Sequence, residues 1–171
     1  MPKRAPVARS IAFVGFAAAV LFTHVGPAGA EVKLLPPDQA FRFAARAVDA
    51  RTLEAQFTIA DGYYLYRDKL RFVLEPEAAG GGAVALPPGK VKDDEFFGRV
   101  ETYRDRVVVR IPVELATPGQ SLTVRADSQG CADAGVCYPP ASQKLTVVVP
   151  TSSGGPGAWV EATPARKRWF P

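Results

Sequence analysis

The chain has 171 residues, and its 21 Lys and Arg against 17 Asp and Glu give a formal net charge of +4. The excess lies at the two ends, because residues 31–150 hold 15 basic and 16 acidic residues, so the basic surplus typical of a nucleic-acid-binding protein is missing and no nucleic acid partner is expected. The only His, His24, and the only Met, Met1, lie in the first 30 residues, which excludes Ser-His-Asp and Cys-His catalysis, His-ligated zinc, and Met- or His-ligated copper for the rest of the chain.

The first 30 residues follow the three-part pattern of a secretory signal peptide. They begin with the basic residues Lys3, Arg4 and Arg9. An uncharged apolar run follows at residues 11–22, and the segment ends in the small residues 28–30, Ala-Gly-Ala. An uncleaved membrane anchor is the alternative, but the apolar run is shorter than the roughly 20 residues that span a bilayer. The sequence therefore predicts export, cleavage near Ala30, and no stable membrane insertion after cleavage.

Residues 31–150 predict one domain built from short β-strands. Alternating apolar and polar side chains indicate half-buried strands, and Gly, Pro and Asp turns separate them. The segments that carry this pattern are, in chain order, 38–48, 53–59, 70–74, 106–113, 122–126 and 145–149. Pro112 predicts that the fourth of them is an edge strand. Because no convincing amphipathic helix interrupts the series, the sequence predicts an all-β fold, an immunoglobulin-like antiparallel β-sandwich.

The composition changes after Pro150. Residues 151–157 are small, polar and rich in Gly, as in a flexible linker. We therefore expect residues 151–171 to form a flexible C-terminal tail. Trp159, Trp169 and Phe170 leave open the alternative that this tail docks on the domain or on a partner.

Cys131 and Cys137 are the two cysteines of the chain. Five residues separate them, Gly135 among them, which is enough for the chain to reverse and for the sulfurs to come within bonding distance. A structural disulfide is the simplest interpretation in an oxidising compartment, but loop entropy gives so small a ring only about 2.4 kcal/mol of stabilisation. The pair could instead exchange with other thiols. A Cu(I) carrier is a third alternative, with no Met or His to support it, and we expect no metal and no cofactor.

Four segments carry a specific combination of motifs. Residues 129–140 read QGCADAGVCYPP, residues 61–67 DGYYLYR, residues 94–98 DEFFG and residues 103–106 YRDR. In this order and spacing they resemble the cysteine signature, the aromatic strand, the cap loop and the segment after it in the N-terminal periplasmic domain of the transmembrane thiol:disulfide reductase DsbD. The resemblance runs from about residue 35 to residue 149.

The resemblance implies a periplasmic domain of immunoglobulin-like fold that passes reducing equivalents to acceptor proteins. Cys137 would form the mixed disulfide with a partner, and Cys131 would resolve it. Phe96 would shield the disulfide, as the aromatic residue of a cap loop made of Asp94, Glu95, Phe96, Phe97 and Gly98. The residues implied to line the site are Tyr64, Tyr66, Asp133 and Tyr138.

Other roles stay open when the residues are considered alone. Phe96, Phe97 and the tyrosines could be ordinary core residues. Asp94 and Glu95 could be part of a solvated run of charges. The main alternative for the whole chain is a non-catalytic binding or assembly module whose disulfide is purely structural.

The resemblance also implies protein partners. This sequence has no Cys-x-x-Cys motif and no second long apolar segment, so we expect a free-standing module that receives its electrons from a separate protein. The expected donor is a thioredoxin-like protein or a membrane thiol reductase. The expected acceptors are a periplasmic disulfide isomerase or thioredoxin-like proteins of cytochrome c maturation, and the direction of electron flow stays open.

Overall fold

The computed structural model describes residues 33–80, 82–114, 116–151 and 155–163, and within them the chain is almost entirely β-structure. One turn of α-helix, α1 (Pro37–Ala40), precedes the strands, and the segments Arg67–Lys69 and Glu77–Ala79 form short 3-10 turns. The strands are β1 (Phe41–Asp49), β2 (Thr52–Ile59), β3 (Tyr63–Tyr66), β4 (Arg71–Glu75), β5 (Lys90–Asp94), β6 (Gly98–Tyr103), β7 (Arg106–Pro112), β8 (Ser121–Ser128), β9 (Gly130–Ala132), β10 (Val136–Cys137), β11 (Ala141–Val148) and β12 (Val160–Glu161).

These strands pair in three sheets, and every pairing between them is antiparallel. One sheet has the order β12-β1-β2-β7, and a second has the order β11-β8-β4. The third has the order β10-β9-β3-β6-β5 and carries both cysteines. The two cysteines therefore lie on a different sheet from the two that hold most of the core.

Aromatic rings join the first two sheets face to face. Phe43 of β1 and Phe57 of β2 stack with their ring centroids 5.1 Å apart. Phe72 of β4, on the opposing sheet, lies 6.3 Å from the first ring and 6.4 Å from the second. Every second side chain of β7 and β8 is buried in the same core, as the alternating pattern predicts. This arrangement confirms the predicted immunoglobulin-like β-sandwich.

The predicted strands are found, and one of them begins later than expected. β2, β4, β7, β8 and β11 correspond to the alternating segments, and β7 is an edge strand that ends at Pro112. The segment 38–48 was expected to be a strand throughout, but the strand begins only at Phe41. Residues Pro37–Ala40 form a helical turn in which the N–H groups of Gln39 and Ala40 donate to the carbonyl of Pro36. Two consecutive prolines favour this turn because their fixed φ suits the start of a helix.

Part of the expected flexible tail lies along the sheet instead. β12 pairs with β1, with Val160 opposite Ala45 and Glu161 opposite Ala44. The N–H of Gly157 donates to the carbonyl of Ala47 and the N–H of Ala162 to the carbonyl of Phe43. The ring of Trp159 lies under the Arg46 guanidinium, 4.5 Å from its centroid. Residues 155–163 thus contact β1, as in the alternative that the tail docks on the domain, because the outer edge of β1 offers backbone partners for them.

Two expectations concern residues outside the described ranges. The predicted signal peptide, residues 1–30, and the end of the tail, residues 164–171, both lie there. In the part of the chain that the structure covers, no helix is long and apolar enough to cross a membrane.

Candidate active site

Cys131 and Cys137 form a disulfide across a tight hairpin. They are directly opposite each other on β9 and β10, with 4.0 Å between their Cα atoms. The turn between the two strands uses Gly135 at a φ of +80°, a conformation that glycine adopts without a steric penalty. We call residues 130–137 the cysteine hairpin.

Gly130 allows this hairpin to lie close to the rest of its sheet. β9 pairs with β3, which places Cys131 opposite Tyr64. A Cβ atom on Gly130 would collide with the Tyr64 carbonyl oxygen and would lie 2.7 Å from Cζ of Phe41. A glycine before the first cysteine is therefore a packing requirement of the site.

The two sulfur-bearing residues differ in exposure. Cys131 is 0% exposed, whereas Cys137 is partly exposed on β10, the outermost strand of its sheet. An attacking thiolate must approach a disulfide sulfur directly. Of the two cysteines, only Cys137 is reached by solvent in this structure.

Tyr66 contacts both sulfurs of the disulfide through its hydroxyl group. It is fully buried, and its hydroxyl lies 3.1 Å from Cys131 Sγ and 3.8 Å from Cys137 Sγ. In the disulfide neither sulfur carries a proton, so the hydroxyl is the donor. Burial, followed by the neighbouring Tyr64 and Asp94, raises the pKa of Tyr66 well above its ordinary value. The group therefore remains a protonated donor throughout the physiological pH range.

Tyr64 connects this cluster to a buried carboxylate. Its hydroxyl donates to Oδ2 of Asp94 over 2.8 Å. Lys92 Nζ donates to the same Oδ2 over 2.9 Å and to the Tyr64 hydroxyl over 3.0 Å. The rings of Tyr64 and Tyr66 meet edge to face, with 5.5 Å between centroids. The charge of the carboxylate is thus paired within the site.

These contacts decide the protonation of Asp94 and Lys92. Burial alone would raise the pKa of the Asp94 carboxyl, but hydrogen bonds from Lys92, Tyr64 and the N–H of Phe96 outweigh burial and hold this pKa well below its ordinary value. Hydrogen bonds to Tyr64 and then to Asp94 raise the pKa of Lys92. The pair is therefore a carboxylate and an ammonium at neutral pH.

Asp94 also begins the loop that the sequence predicts to be a cap. Its Oδ1 accepts the N–H of Phe96 over 3.0 Å and the N–H of Phe97 over 3.2 Å. The loop ends at Gly98, whose φ is +68°, and Glu95 within it is exposed. The Asp94 carboxylate therefore stabilises the backbone turn at the start of the loop.

The two loop phenylalanines are both largely exposed. The Phe97 ring lies edge-on to Tyr66, with 5.0 Å between centroids, and the Lys69 ammonium lies 5.0 Å from the Phe97 centroid. Phe97 is 44% exposed and Phe96 is 55% exposed. The alternative that Phe96 is an ordinary core residue is therefore wrong. Whether Phe96 shields the disulfide stays a prediction.

The remaining two predicted residues are Tyr138 and Asp133. The Tyr138 ring faces Phe41 and Tyr63, at centroid distances of 5.6 and 6.2 Å, and its hydroxyl donates to the carbonyl of Leu35 over 2.6 Å. Burial, with Tyr63 second, raises the pKa of Tyr138 to about 12. Asp133 is exposed on the turn of the cysteine hairpin. The tyrosine thus anchors the chain after the hairpin.

Sequence reasoning missed two basic residues of the site, Lys92 and Arg104. The Arg104 guanidinium holds Asp133 through two hydrogen bonds of 2.9 and 2.6 Å. It also donates to the carbonyl of Tyr63 over 3.3 Å and lies 5.2 Å from the Tyr64 ring centroid. A signal was available, since Arg104 belongs to the 103–106 motif, but only the fold brings that motif to the hairpin.

The chemistry of the described residues is that of one sulfur pair. Within the described ranges, no group of three or more His, Cys, Asp or Glu side chains is arranged to hold a metal ion. What the residues present is a disulfide between one buried and one partly exposed cysteine, a buried hydroxyl donor beside both sulfurs, and a loop whose Phe97 ring contacts that tyrosine.

Comparison with known proteins agrees with this geometry. Residues 31–149 match the model of the family described as thiol:disulfide interchange protein DsbD, N-terminal. DsbD of Ralstonia nicotianae (strain ATCC BAA-1114 / GMI1000) is 43% identical over 151 residues, which cover 88% of this chain and 24% of that protein. DsbD of Escherichia coli (strain K12) is 41% identical over 125 residues, which cover 73% and 21%. The chain thus spans about a quarter of the length of the curated relatives it matches.

Solved structures are similar as well. The reduced N-terminal domain of Neisseria meningitidis DsbD superimposes with a TM-score of 0.63 at 33% identity, covering 76% of this chain and 96% of that one. The complex between the DsbD N-terminal and PilB N-terminal domains of Neisseria meningitidis matches with a TM-score of 0.56 at 37% identity, covering 67% and 87%. With the family model matched over nearly all of the described residues, the chain belongs to the family of DsbD N-terminal domains.

Proposed function

We propose that this chain is a thiol–disulfide exchange module whose Cys131/Cys137 pair passes reducing equivalents between proteins. The observation that carries the proposal is the unequal exposure of the two cysteines in one hairpin. A disulfide that serves only as a staple gains nothing from one accessible sulfur, whereas an exchange site requires it. Membership of the DsbD N-terminal family supports the same function.

The proposed reaction begins when a donor thiolate attacks Cys137 Sγ. A bond forms between the donor sulfur and Cys137, the Cys131–Cys137 bond breaks, and Cys131 leaves with the electron pair as a thiolate. The hydroxyl of Tyr66, 3.1 Å from that sulfur, donates a hydrogen bond to the developing negative charge. The second thiol of the donor then attacks the mixed disulfide and releases Cys137, so that two electrons and two protons have entered the module.

Delivery to an acceptor reverses these roles. The Cys137 thiolate attacks the acceptor disulfide and forms a mixed disulfide. Cys131 then attacks Cys137, which releases the acceptor as a dithiol and restores the Cys131–Cys137 bond. The assignment of Cys137 as the partner-facing sulfur and of Cys131 as the resolving sulfur is supported by their exposure.

The loop Asp94–Gly98 is proposed to gate this reaction. The ring of Phe97 in this loop contacts Tyr66 directly. With Phe96 as the shield, the loop would limit access of small thiols until a partner displaces it. The Asp94 carboxylate fixes the start of the loop by accepting hydrogen bonds from the N–H groups of Phe96 and Phe97.

The proposed setting is the periplasm, reached through the predicted signal peptide. The proposed donor is a thioredoxin-like protein or a membrane thiol reductase, and the proposed acceptors are a periplasmic disulfide isomerase or thioredoxin-like proteins of cytochrome c maturation. A protein partner is supported by the complex of the Neisseria meningitidis DsbD N-terminal domain with the PilB N-terminal domain.

The test is the equilibrium of the purified protein against a graded series of dithiothreitol or glutathione redox buffers. Structural disulfides lie below about −300 mV. We expect the reduction potential of the Cys131/Cys137 couple to lie above this value. We also expect the pair to exchange with a thioredoxin-like protein. A disulfide that stays oxidised throughout the glutathione series and forms no mixed disulfide would support the structural alternative instead.

A further inference from the structure

Arg104 joins the cysteine hairpin to the strand behind it. Its guanidinium binds both carboxylate oxygens of Asp133, at the turn of the hairpin, and the carbonyl oxygen of Tyr63 on β3. The N–H of Asp133 donates to the carbonyl of Gly62 over 2.7 Å. The backbone of Asp133 is therefore bonded directly to the turn before β3. Its side chain is connected to the first residue of β3 through Arg104.

The arm that carries Cys137 lies at an edge of its sheet and has a single neighbouring strand. β10 comprises only Val136 and Cys137, and it pairs with β9 alone at the edge of its sheet. The N–H of Tyr138 donates to the carbonyl of Gly130 just after it. When the disulfide opens, the Arg104–Asp133 pair helps to keep the two thiols beside each other, together with these hydrogen bonds and the packing of Tyr138 after the hairpin.

We propose that Arg104 is a positioning residue that sets the dithiol–disulfide equilibrium of the module through Asp133. This rests on the proposed exchange function. By holding the turn in place after reduction, the ion pair keeps the thiols at a high effective concentration, which favours closure of the disulfide. Without it the reduced hairpin gains conformational freedom, and the equilibrium moves toward the dithiol.

The effect is geometric in origin because the local charge is balanced. The Arg104 cation and the Asp133 carboxylate are 2.6 Å apart, so together they add little net charge near the sulfurs. A bidentate Arg–carboxylate pair also has a fixed geometry that Lys cannot reproduce. Arg104→Lys, which keeps the charge, should therefore shift the dithiol–disulfide equilibrium nearly as far as Arg104→Gln does.

The experiment measures the equilibrium constant of the reaction in which dithiothreitol reduces the protein disulfide and is itself converted to its cyclic disulfide. Two electrons and two protons move from one pair to the other. The measurement is made at pH 6, where ordinary thiols are protonated, so that thiolate stabilisation does not contribute. The matched control is Arg106→Gln, which removes a charge from an exposed arginine two residues further along. Far-UV circular dichroism verifies that each variant is folded.

We expect Arg104→Gln and Asp133→Asn each to shift the constant about fivefold toward the protein dithiol, as expected for loss of one partly exposed ion pair, which corresponds to about 21 mV for two electrons. The double variant should shift no further, because both changes remove the same contact. Arg106→Gln should match the wild type.

Unshifted single variants, or a double variant whose shift is the sum of the two, would overturn the inference while the wild-type couple still exchanges. A wild-type disulfide that no dithiothreitol ratio reduces would overturn the proposed function itself, and this inference with it. The two failures are thus separate observations on different samples.

Discussion

The hydroxyl of Tyr66 lies 3.1 Å from the Sγ of Cys131, and both residues are fully buried. If Cys131 is the sulfur that leaves when a partner attacks, this hydroxyl stabilises it at the moment of bond cleavage. Tyr66→Phe should therefore slow reduction by a thioredoxin-like donor by about tenfold, the effect of losing one hydrogen bond to a developing charge. Stopped-flow kinetics of donor oxidation would measure it.

The control for this variant is Tyr138→Phe, because the Tyr138 hydroxyl donates to the carbonyl of Leu35 instead. It should leave the exchange rate close to that of the wild type. Equal slowing in both variants would mean that loss of a hydrogen-bonded tyrosine hydroxyl acts through the fold, and Tyr66 would have no specific part in the reaction.

Exposure predicts the order of attack at the two cysteines. Cys131→Ala leaves the accessible Cys137 free to form a mixed disulfide that nothing resolves, so it should accumulate a covalent complex with a thioredoxin-like partner. Cys137→Ala leaves only the buried Cys131 and should accumulate none. Non-reducing electrophoresis and mass spectrometry would measure both, and equal trapping by the two variants would contradict the assignment.

The cap loop predicts a gain of rate without a loss of stability. Phe96 is 55% exposed, so Phe96→Ala should change the denaturant midpoint very little, far from the about 3–5 kcal/mol that truncation of a buried Phe costs. If the ring shields the disulfide, reduction by a small thiol should become several times faster. Phe97→Ala, made in parallel, tests the ring that contacts Tyr66. Unchanged rates in both variants would end the gating proposal.

Asp94 predicts a specific dependence of stability on pH. Because its pKa is depressed in the folded state, its network contributes stability that is present above the ordinary carboxyl pKa of about 3.9 and is lost as the pH falls toward the lower folded value. Asp94→Asn should therefore lower the free energy of unfolding at pH 7 and should flatten its decline between about pH 5 and pH 2. Urea unfolding at several pH values would measure this slope.

Asp93→Asn is the matched control, since Asp93 is the exposed neighbour of Asp94 on the same strand. Its unfolding free energy should follow the wild-type dependence on pH. If both variants kept the wild-type slope, the Lys92–Asp94–Tyr64 network would carry no measurable stability.

Trp159 predicts that the segment after residue 150 contributes to the fold. Removing its cation–π contact with Arg46 should cost about 0.5–1 kcal/mol. Trp159→Ala should therefore lower the midpoint of urea unfolding, whereas Val148→Ala, which truncates an exposed side chain on β11, should change it by less. Identical midpoints for Trp159→Ala and the wild type would show that the Trp159–Arg46 contact adds nothing to stability.

The core strands could be predicted because burial leaves a period-two pattern. β7 and β8 show that pattern residue by residue, and Pro112 correctly marks an edge. The strands of the cysteine-bearing sheet could not be found in this way. β9 and β10 are three and two residues long, too short for any period, and all four residues of β3 are buried, so its sequence does not alternate.

The site could be predicted only in part for a related reason. The motifs supplied Cys131, Cys137, Tyr64, Tyr66 and Asp94, and the fold brings these together. Lys92 and Arg104 reach the same place through the pairing of β5 with β6 and the turn before β7, which no local pattern reveals. The tail was expected to be flexible because Gly and Ser dominate its start, whereas its contacts with β1 depend on an edge that exists only in the folded sheet.

One consequence follows from the burial of one cysteine of the pair and the partial exposure of the other. If electrons pass through this disulfide, donor and acceptor must both react at Cys137, because Cys131 is buried and a partner thiol cannot reach it. The donor and the acceptor then compete for Cys137 and cannot bind there at the same time. Turnover would follow ping-pong kinetics, and an excess of either partner would inhibit the other, so the flow of electrons would depend on how quickly each partner leaves.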